Sequence, residues 1–181
     1  MLKRILAVLL LAAMTLVGLI ASRPAEFSVQ RDLSVAARPV VVYAQVHDPS
    51  AWRAWSPWET VDPQMQRSYS GPPAGVGAVY AWRGNKDVGA GRMTIVEAKP
   101  YSYLRFKLEF FEPYTATHDA EFFFEASGTG TRVTWRMSGR KDFLGKAVGM
   151  VMDMDRMIGS QFDQGLLNLK RVAEIAQKEK K

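Results

Sequence analysis

Two periods of apolar residues divide this chain. Over residues 143–178, Leu144, Val148, Val151, Ile158, Phe162, Leu166, Leu169, Ala173 and Ala176 recur at steps of three and four. At about 100° per residue they form one stripe, which predicts a long C-terminal helix. Asp142 is placed to cap its start, and Lys178, Lys180 and Lys181 suit the negative end of its dipole. Upstream the period is two. Leu104, Phe106, Leu108 and Phe110 alternate with Arg105, Lys107 and Glu109. Ala116, His118, Ala120, Phe122 and Phe124 alternate with Thr117, Asp119 and Glu121, and Val133, Trp135 and Met137 with Arg132, Thr134 and Arg136. Such strands build a sheet with one apolar and one solvated face.

The same pattern and the turn residues between runs predict strands over 65–69, 78–82, 91–97, 103–111, 116–125 and 131–138. A further strand over 26–35 precedes them, with Arg31 the odd member on its apolar face. Short links force antiparallel neighbours. Residues 40–46 are β-branched enough for a strand, but Pro39 before them and Asp48-Pro49 after them favour a short helix. Asp48 then caps a second short helix over 50–55. The expected architecture is α+β: a seven-stranded antiparallel sheet wrapped around a long C-terminal helix, with two short helices after the first strand.

The N-terminus adds a different element. Lys3-Arg4 leads into residues 5–21, where Thr15 is the only polar side chain. A helix of that length spans roughly 25 Å, close to the ~30 Å of a hydrocarbon core. It reads as an uncleaved membrane anchor; the alternative is a cleaved signal segment, for which Leu19 sits poorly at −3 if the cut follows Ala21. The leading positive charge favours a single-pass topology with the domain outside the cytoplasm, periplasmic or extracellular, or secreted if the segment is cleaved. The division is then residues 1–25 as anchor or signal and 26–181 as the domain.

Composition narrows the chemistry. The formal charge is +6, and Lys3 and Arg4 account for two of those charges. The remainder is scattered, which excludes a nucleic-acid footprint. There is no cysteine, so disulfides, thiol catalysis and thiolate metal sites are excluded. Two distant histidines, His47 and His118, without a third ligand give no metal spacing. The glycines of 71–77 and 89–91 lack any phosphate-cradle context. No cofactor is expected.

Trp52-x-x-Trp55-Ser-Pro-Trp58 is the densest chemical signal. Trp52 and Trp55 share a helix face, and Pro57 ends the helix and aims Trp58 elsewhere. The motif is either a hydrophobic plug or an aromatic wall. His118 has the parity of the apolar face, as a satisfied core residue or as a catalyst. Asp155 falls at the centre of the helix stripe, where an ionised carboxylate needs a partner. Three accounts stand: the helix breaks near Gly159 and exposes Asp155, Asp155 pairs with an inward-facing Arg31 or another basic group, or it faces a cavity as a polar contact or acid–base group. Met150, Met152, Met154 and Met157 suit core filling, a pocket lid or a membrane-facing surface.

The order of elements, the tryptophan turn, Gly-Val-Gly-Ala at 75–78, Gly130-Thr-Arg-Val-Thr-Trp135, and Asp153-Met-Asp-Arg-Met-Ile-Gly159 with Gly165-Leu-Leu-Asn-Leu-Lys170 resemble the START-like (SRPBCC) superfamily. Its members include the birch-pollen allergen and bacterial polyketide cyclase/dehydrase-like proteins. The resemblance covers residues 26–178 and implies a helix-grip fold with a cavity between sheet and closing helix. It implies a hydrophobic small molecule or lipid as ligand. The candidate lining set is Trp55, Trp58, Met93, Phe106, Phe110, His118, Phe122, Phe124, Trp135, Met137, Met154 and Ile158. One alternative is a polyketide cyclase/dehydratase-like enzyme using His118 and Asp155. The other is a non-enzymatic envelope protein that binds a partner through an apolar surface.

Overall fold

Alternation at period two is realised as seven antiparallel strands. The computed structural model describes residues 1–151 and 153–179, without the side chain of Met154; Met152, Lys180 and Lys181, named above, lie outside them. An N-terminal helix, α1 (Leu2–Ser22), leads into β1 (Glu26–Val35). Next come α2 (Pro39–His47), a 3₁₀ segment (Pro49–Ala54) and a short helix α3 (Trp58–Val61) that the sequence pattern did not predict. Strands β2 (Gln66–Ser70), β3 (Val79–Arg83), β4 (Ala90–Lys99), β5 (Tyr103–Glu112), β6 (Ala116–Ser127) and β7 (Gly130–Arg140) follow. Two helices close the chain, α4 (Phe143–Val151) and α5 (Met154–Glu179). The sheet order is β1-β7-β6-β5-β4-β3-β2.

Register decides which side chains meet over the sheet. One cross-strand row on the inner face reads Arg31, Trp135, Phe122, Leu104. The next reads Val29, Met137, Ala120, Phe106, and the next Phe27, Gly139, His118, Leu108. The outer face carries charge. Glu109 pairs with Arg92 at 2.7 Å and Lys107 at 2.9 Å, and these two hold its carboxyl down at about 2, Arg92 most strongly. Arg136 pairs with Glu121 at 2.8 Å. The inner face is left largely apolar, with Arg31 and His118 its exceptions in these rows.

Helix α5 supplies the cover. Phe162, Leu166, Leu169 and Ala173 are buried against the sheet. A Cβ at Gly165 would stand 2.7 Å from Trp135 Cζ3 and 3.1 Å from Pro57 Cδ, so only glycine lets α5 approach the Trp135 ring this closely. Glu174 accepts from the Ala36 amide at 2.8 Å and Lys170 Nζ donates to the Ser34 carbonyl at 3.0 Å, tying the end of β1 to the helix.

The expected single helix is two. Helix α4 ends at Val151 and α5 begins at Met154, with no end near Gly159. Asp153 restarts the helix: its Oδ1 accepts the Arg156 amide at 3.0 Å as an N-cap does. Asp142 caps α4 as expected, accepting the Gly145 amide at 2.7 Å. Gly159 is buried inside α5 for another reason. A Cβ there would lie 2.0 Å from a guanidinium nitrogen of Arg31, which crosses the helix at that point.

Helix α1 is long and apolar enough to cross a membrane. Its side chains other than Ile20 are exposed. The backbone carbonyl of Ala25, just before β1, accepts the Lys141 amide at 2.7 Å.

Candidate functional site

Between the sheet and the first turns of α5 the inner face is not filled. Ala120 places only a methyl group in its row, and a cavity of about 220 Å³ lies there. Its walls come from the tryptophan turn (Trp52, Ser56, Trp58), from Met65 beside β2, from β3 and the turn after it (Tyr80, Trp82, Val88), and from β4 to β7 (Met93, Leu108, Phe110, Ala120, Trp135, Met137). Ile158 and Phe162 of α5 close it. Among the described residues, no histidine, carboxylate, lysine or arginine stands in this wall.

Of the residues expected to line a cavity, Trp58, Met93, Phe110, Trp135, Met137 and Ile158 do. Trp55, Phe106, Phe122 and Phe124 are instead buried beside it in the packed core. The reason lies in α2 and the rings around them. Trp52 Nε1 donates to the Val46 carbonyl at 3.0 Å and Trp55 Nε1 to Gln45 at 2.9 Å, so both indoles are held on the end of α2. Their rings lie 4.5 Å apart by centroid, and each meets Phe122 and Trp135 edge-on. Pro57 sends Trp58 the other way, onto Trp135 and Phe162. The motif is thus plug and wall at once: Trp55 plugs, Trp58 lines, and Trp52 does both. The Met154 side chain lies outside what is described.

Sequence reasoning missed Trp52, Ser56, Met65, Tyr80, Trp82, Val88, Leu108, Ala120 and Phe162. The parity of Ala78, Tyr80 and Trp82 was a usable signal for β3. So was Ala120, since a small residue in a row of large ones marks where space remains.

One polar network borders the cavity. Tyr80 donates its hydroxyl to Glu59 Oε1 at 3.1 Å, and Arg67 Nε donates to Glu59 Oε2 at 2.8 Å. Burial, and then Glu59, pushes the Tyr80 phenol well above its ordinary range. It is a fixed donor, and it locks α3, which carries Trp58, onto β2 and β3. Trp135 Nε1 is buried with no acceptor.

His118 and Asp155 are not brought together. The His118 ring occupies the space that Gly139 leaves; a Cβ on Gly139 would stand 2.2 Å from its Nδ1. It packs edge-on to Phe27 at 5.0 Å and lies 6.0 Å from Phe110, and Nδ1 has no partner. Burial pushes its pKa below the usual value. Asp155 sits in the first turn of α5 with 62% of its side chain exposed, in a two-pronged contact with Arg31: Nη1 to Oδ1 at 3.1 Å and Nη2 to Oδ2 at 2.9 Å. That hydrogen-bonded pair lowers its pKa. Asp155 borders an open groove of about 570 Å³ between β1 and the α4–α5 junction, lined also by Phe27, Val29, Lys141, Met150, Val151 and Asp153, and His118 does not reach it. Of the three accounts of Asp155, the structure combines two: the helix is broken, though before Asp155 rather than at Gly159, and the carboxylate pairs with Arg31. His47 ends α2 and stacks on Tyr43 at 4.9 Å. Among the described residues no group of three or more histidines and carboxylates could hold a metal ion.

The profile of a protein family described as "Polyketide cyclase / dehydrase and lipid transport" matches residues 26–174. That range begins at β1 and runs into α5. Solved structures share the fold at low identity. A protein of unknown function from Staphylococcus aureus is 12% identical, covering 86% of this chain and 98% of its own, with a TM-score of 0.63. The Aha1 dimer from Colwellia psychrerythraea is 17% identical over 82% and 97%, with a TM-score of 0.60. Ara h 8.0201 is 10% identical over 85% and 99%, with a TM-score of 0.54. Likeness at these identities is likeness of fold. No curated protein matches the chain by sequence.

Proposed function

Because the chain belongs to the polyketide cyclase / dehydrase and lipid transport family, we propose that it binds a compact apolar ligand between sheet and α5, at a membrane to which α1 anchors it. The observation that carries this reading is the uncharged, aromatic- and methionine-lined cavity of about 220 Å³. It is smaller than the ~300–1,000 Å³ of pockets that take drug-sized ligands. A small ring system or the end of one acyl chain fits; a whole diacyl lipid does not. Burying ~200 Å² of ligand surface at ~25 cal/mol/Å² is worth about 5 kcal/mol. Alone that corresponds to a Kd of about 0.2 mM; hydrogen bonds to the ligand and ring contacts, at about 1 kcal/mol each, bring it toward the micromolar range that survives purification. The Ser56 hydroxyl and the unspent Trp135 Nε1–H are the polar groups left to orient a ligand that carries an acceptor.

Two arguments favour binding over catalysis. Among the described residues, the cavity wall holds no histidine, carboxylate or lysine, and the Tyr80 phenol is committed to Glu59. His118 and Asp155 share neither a hydrogen bond nor a cavity, and proton transfer needs hydrogen-bond reach. For the membrane, Lys3-Arg4 ahead of α1 supports an anchor with the domain outside the cytoplasm.

The test is extraction. Full-length protein purified from membranes is expected to release an apolar compound, seen by mass spectrometry at close to one per chain. Ala120→Leu fills the cavity and is expected to abolish that compound while the protein stays folded by thermal unfolding. A wild type without a copurifying compound, or a folded Ala120→Leu that keeps it, would overturn the reading.

A further inference from the structure

Helix α4 is turned the wrong way round for a soluble protein. Phe143, Ala147 and Val151 follow at i, i+4 and i+8, and Leu144 lies beside them, so one face of the helix is apolar. That face is uncovered: Phe143 is 50% exposed, Leu144 51% and Val151 84%. No residue of α4 is buried, and Ala147 and Val148 are only half-buried. An isolated exposed leucine means little, but a contiguous apolar face marks a contact.

What touches α4 says what covers it. Helix α4 packs beside α1, and Lys146 Nζ donates to the Ala21 carbonyl at 3.0 Å, at the C-terminal end of α1. Only residues 23–25 join α1 to β1, and the last of them is pinned by the Lys141 amide. Three residues reach no further than about 11 Å. With α1 in a bilayer, α4 has no place to be except the headgroup region. Arg23, Lys141 and Lys146 stand around it, the charge that anionic headgroups attract. Register places the start of β1, the end of β7 and the β5–β6 hairpin at one end of the sheet. That hairpin exposes Phe111 and Tyr114, and aromatic rings favour the membrane interface.

We propose that α4 is an interfacial helix: Phe143, Leu144 and Val151 immerse in the headgroup–acyl boundary of an anionic bilayer and seat the domain on the membrane beside its own anchor. A soluble partner would have to displace lipid to reach a helix that packs beside α1. The groove lined by Phe27, Met150 and Val151 then lies at the membrane surface. This rests on α1 being an anchor, and the experiment separates the two.

The chain has no cysteine, so single labelling sites are clean. Full-length Leu144→Cys, Val151→Cys, Leu9→Cys and Val76→Cys proteins, each carrying an environment-sensitive fluorophore, are reconstituted in phosphatidylcholine/phosphatidylglycerol vesicles with spin-labelled lipids. Val76 is exposed in the β2–β3 loop, at the other end of the sheet. The labels at 144 and 151 are expected to shift to the blue and lose fluorescence to shallow spin labels, the label at 9 to deep ones, and the label at 76 to neither. If 144 and 151 behave like 76 while 9 is quenched, the anchor stands and the interfacial helix is wrong. If they shift to the blue without quenching by lipid, protein covers α4, a second copy or another chain, and the proposal is equally wrong. If 9 is unquenched, the anchor fails and the interfacial helix falls with it.

Discussion

Helices α4 and α5 come from one run of apolar periodicity and meet opposite fates. In α5 the stripe of Phe162, Leu166, Leu169 and Ala173 is buried under the sheet. In α4 the corresponding residues face outward, and none is buried. Periodicity therefore specifies a helix and the width of its apolar face, but not the surface that covers it. For α5 that surface is the inner face of the sheet, with the Trp135 ring stacked on Phe162, together with α2. For α4 none of the described residues of the domain buries the apolar face.

The largest test of this contrast is a matched pair of truncations. Leu169→Ala is expected to cost ~2–5 kcal/mol, because it empties a fully buried site. Leu144→Ala is expected to stay within about 0.5 kcal/mol in detergent, where its environment is the same folded or unfolded. Urea unfolding followed by circular dichroism reads both, and equal costs would erase the distinction. Gly165→Ala comes next. The new Cβ meets the buried Trp135 ring, which costs ~1–3 kcal/mol in overpacking, offset by up to ~1 kcal/mol of helix propensity. A net gain in stability would mean that α5 sits less tightly on Trp135 than described.

The smallest effect is expected at the break between the two helices. Asp155→Asn removes the exposed contact with Arg31, and surface ion pairs contribute little. Arg31 depresses the Asp155 pKa, so the pair's contribution is complete above the ordinary carboxylate range and lost as pH falls through the folded value. The unfolding midpoints of wild type and Asp155→Asn should differ slightly near neutral pH and converge in acid. A gap that persists once Asp155 is protonated would show that its charge is not what matters.

Much of the fold could be read in advance because each strand of β5 to β7 alternates cleanly, and because the α5 stripe keeps its phase over five turns. The break escaped notice because it carries neither proline nor glycine; only Asp153, a capping residue in the middle of an apolar run, announced it. Gly159 has the composition of a breaker, but it leaves room for Arg31. The site was half legible. Parity could place Met93, Phe110, Trp135 and Met137 on the inner face, but it could not separate rings packed against rings from rings facing a void. Trp55, Phe106, Phe122 and Phe124 went into the core through contacts set by the position of α2 and the tryptophan turn. The void itself follows from what is missing at Ala120.

Arg31 and Gly159 have a consequence for how this sequence can vary. They lie far apart in the chain, yet the guanidinium occupies the place where any side chain at 159 would begin. Neither position is free while the other is kept. Among relatives, the two are expected to change together: where position 159 carries a Cβ, position 31 should hold a shorter residue, and Asp155 should lose its reason to be acidic. An alignment would show this as a three-way covariation between the first strand and the last helix, a record in sequence space of one contact across the grip.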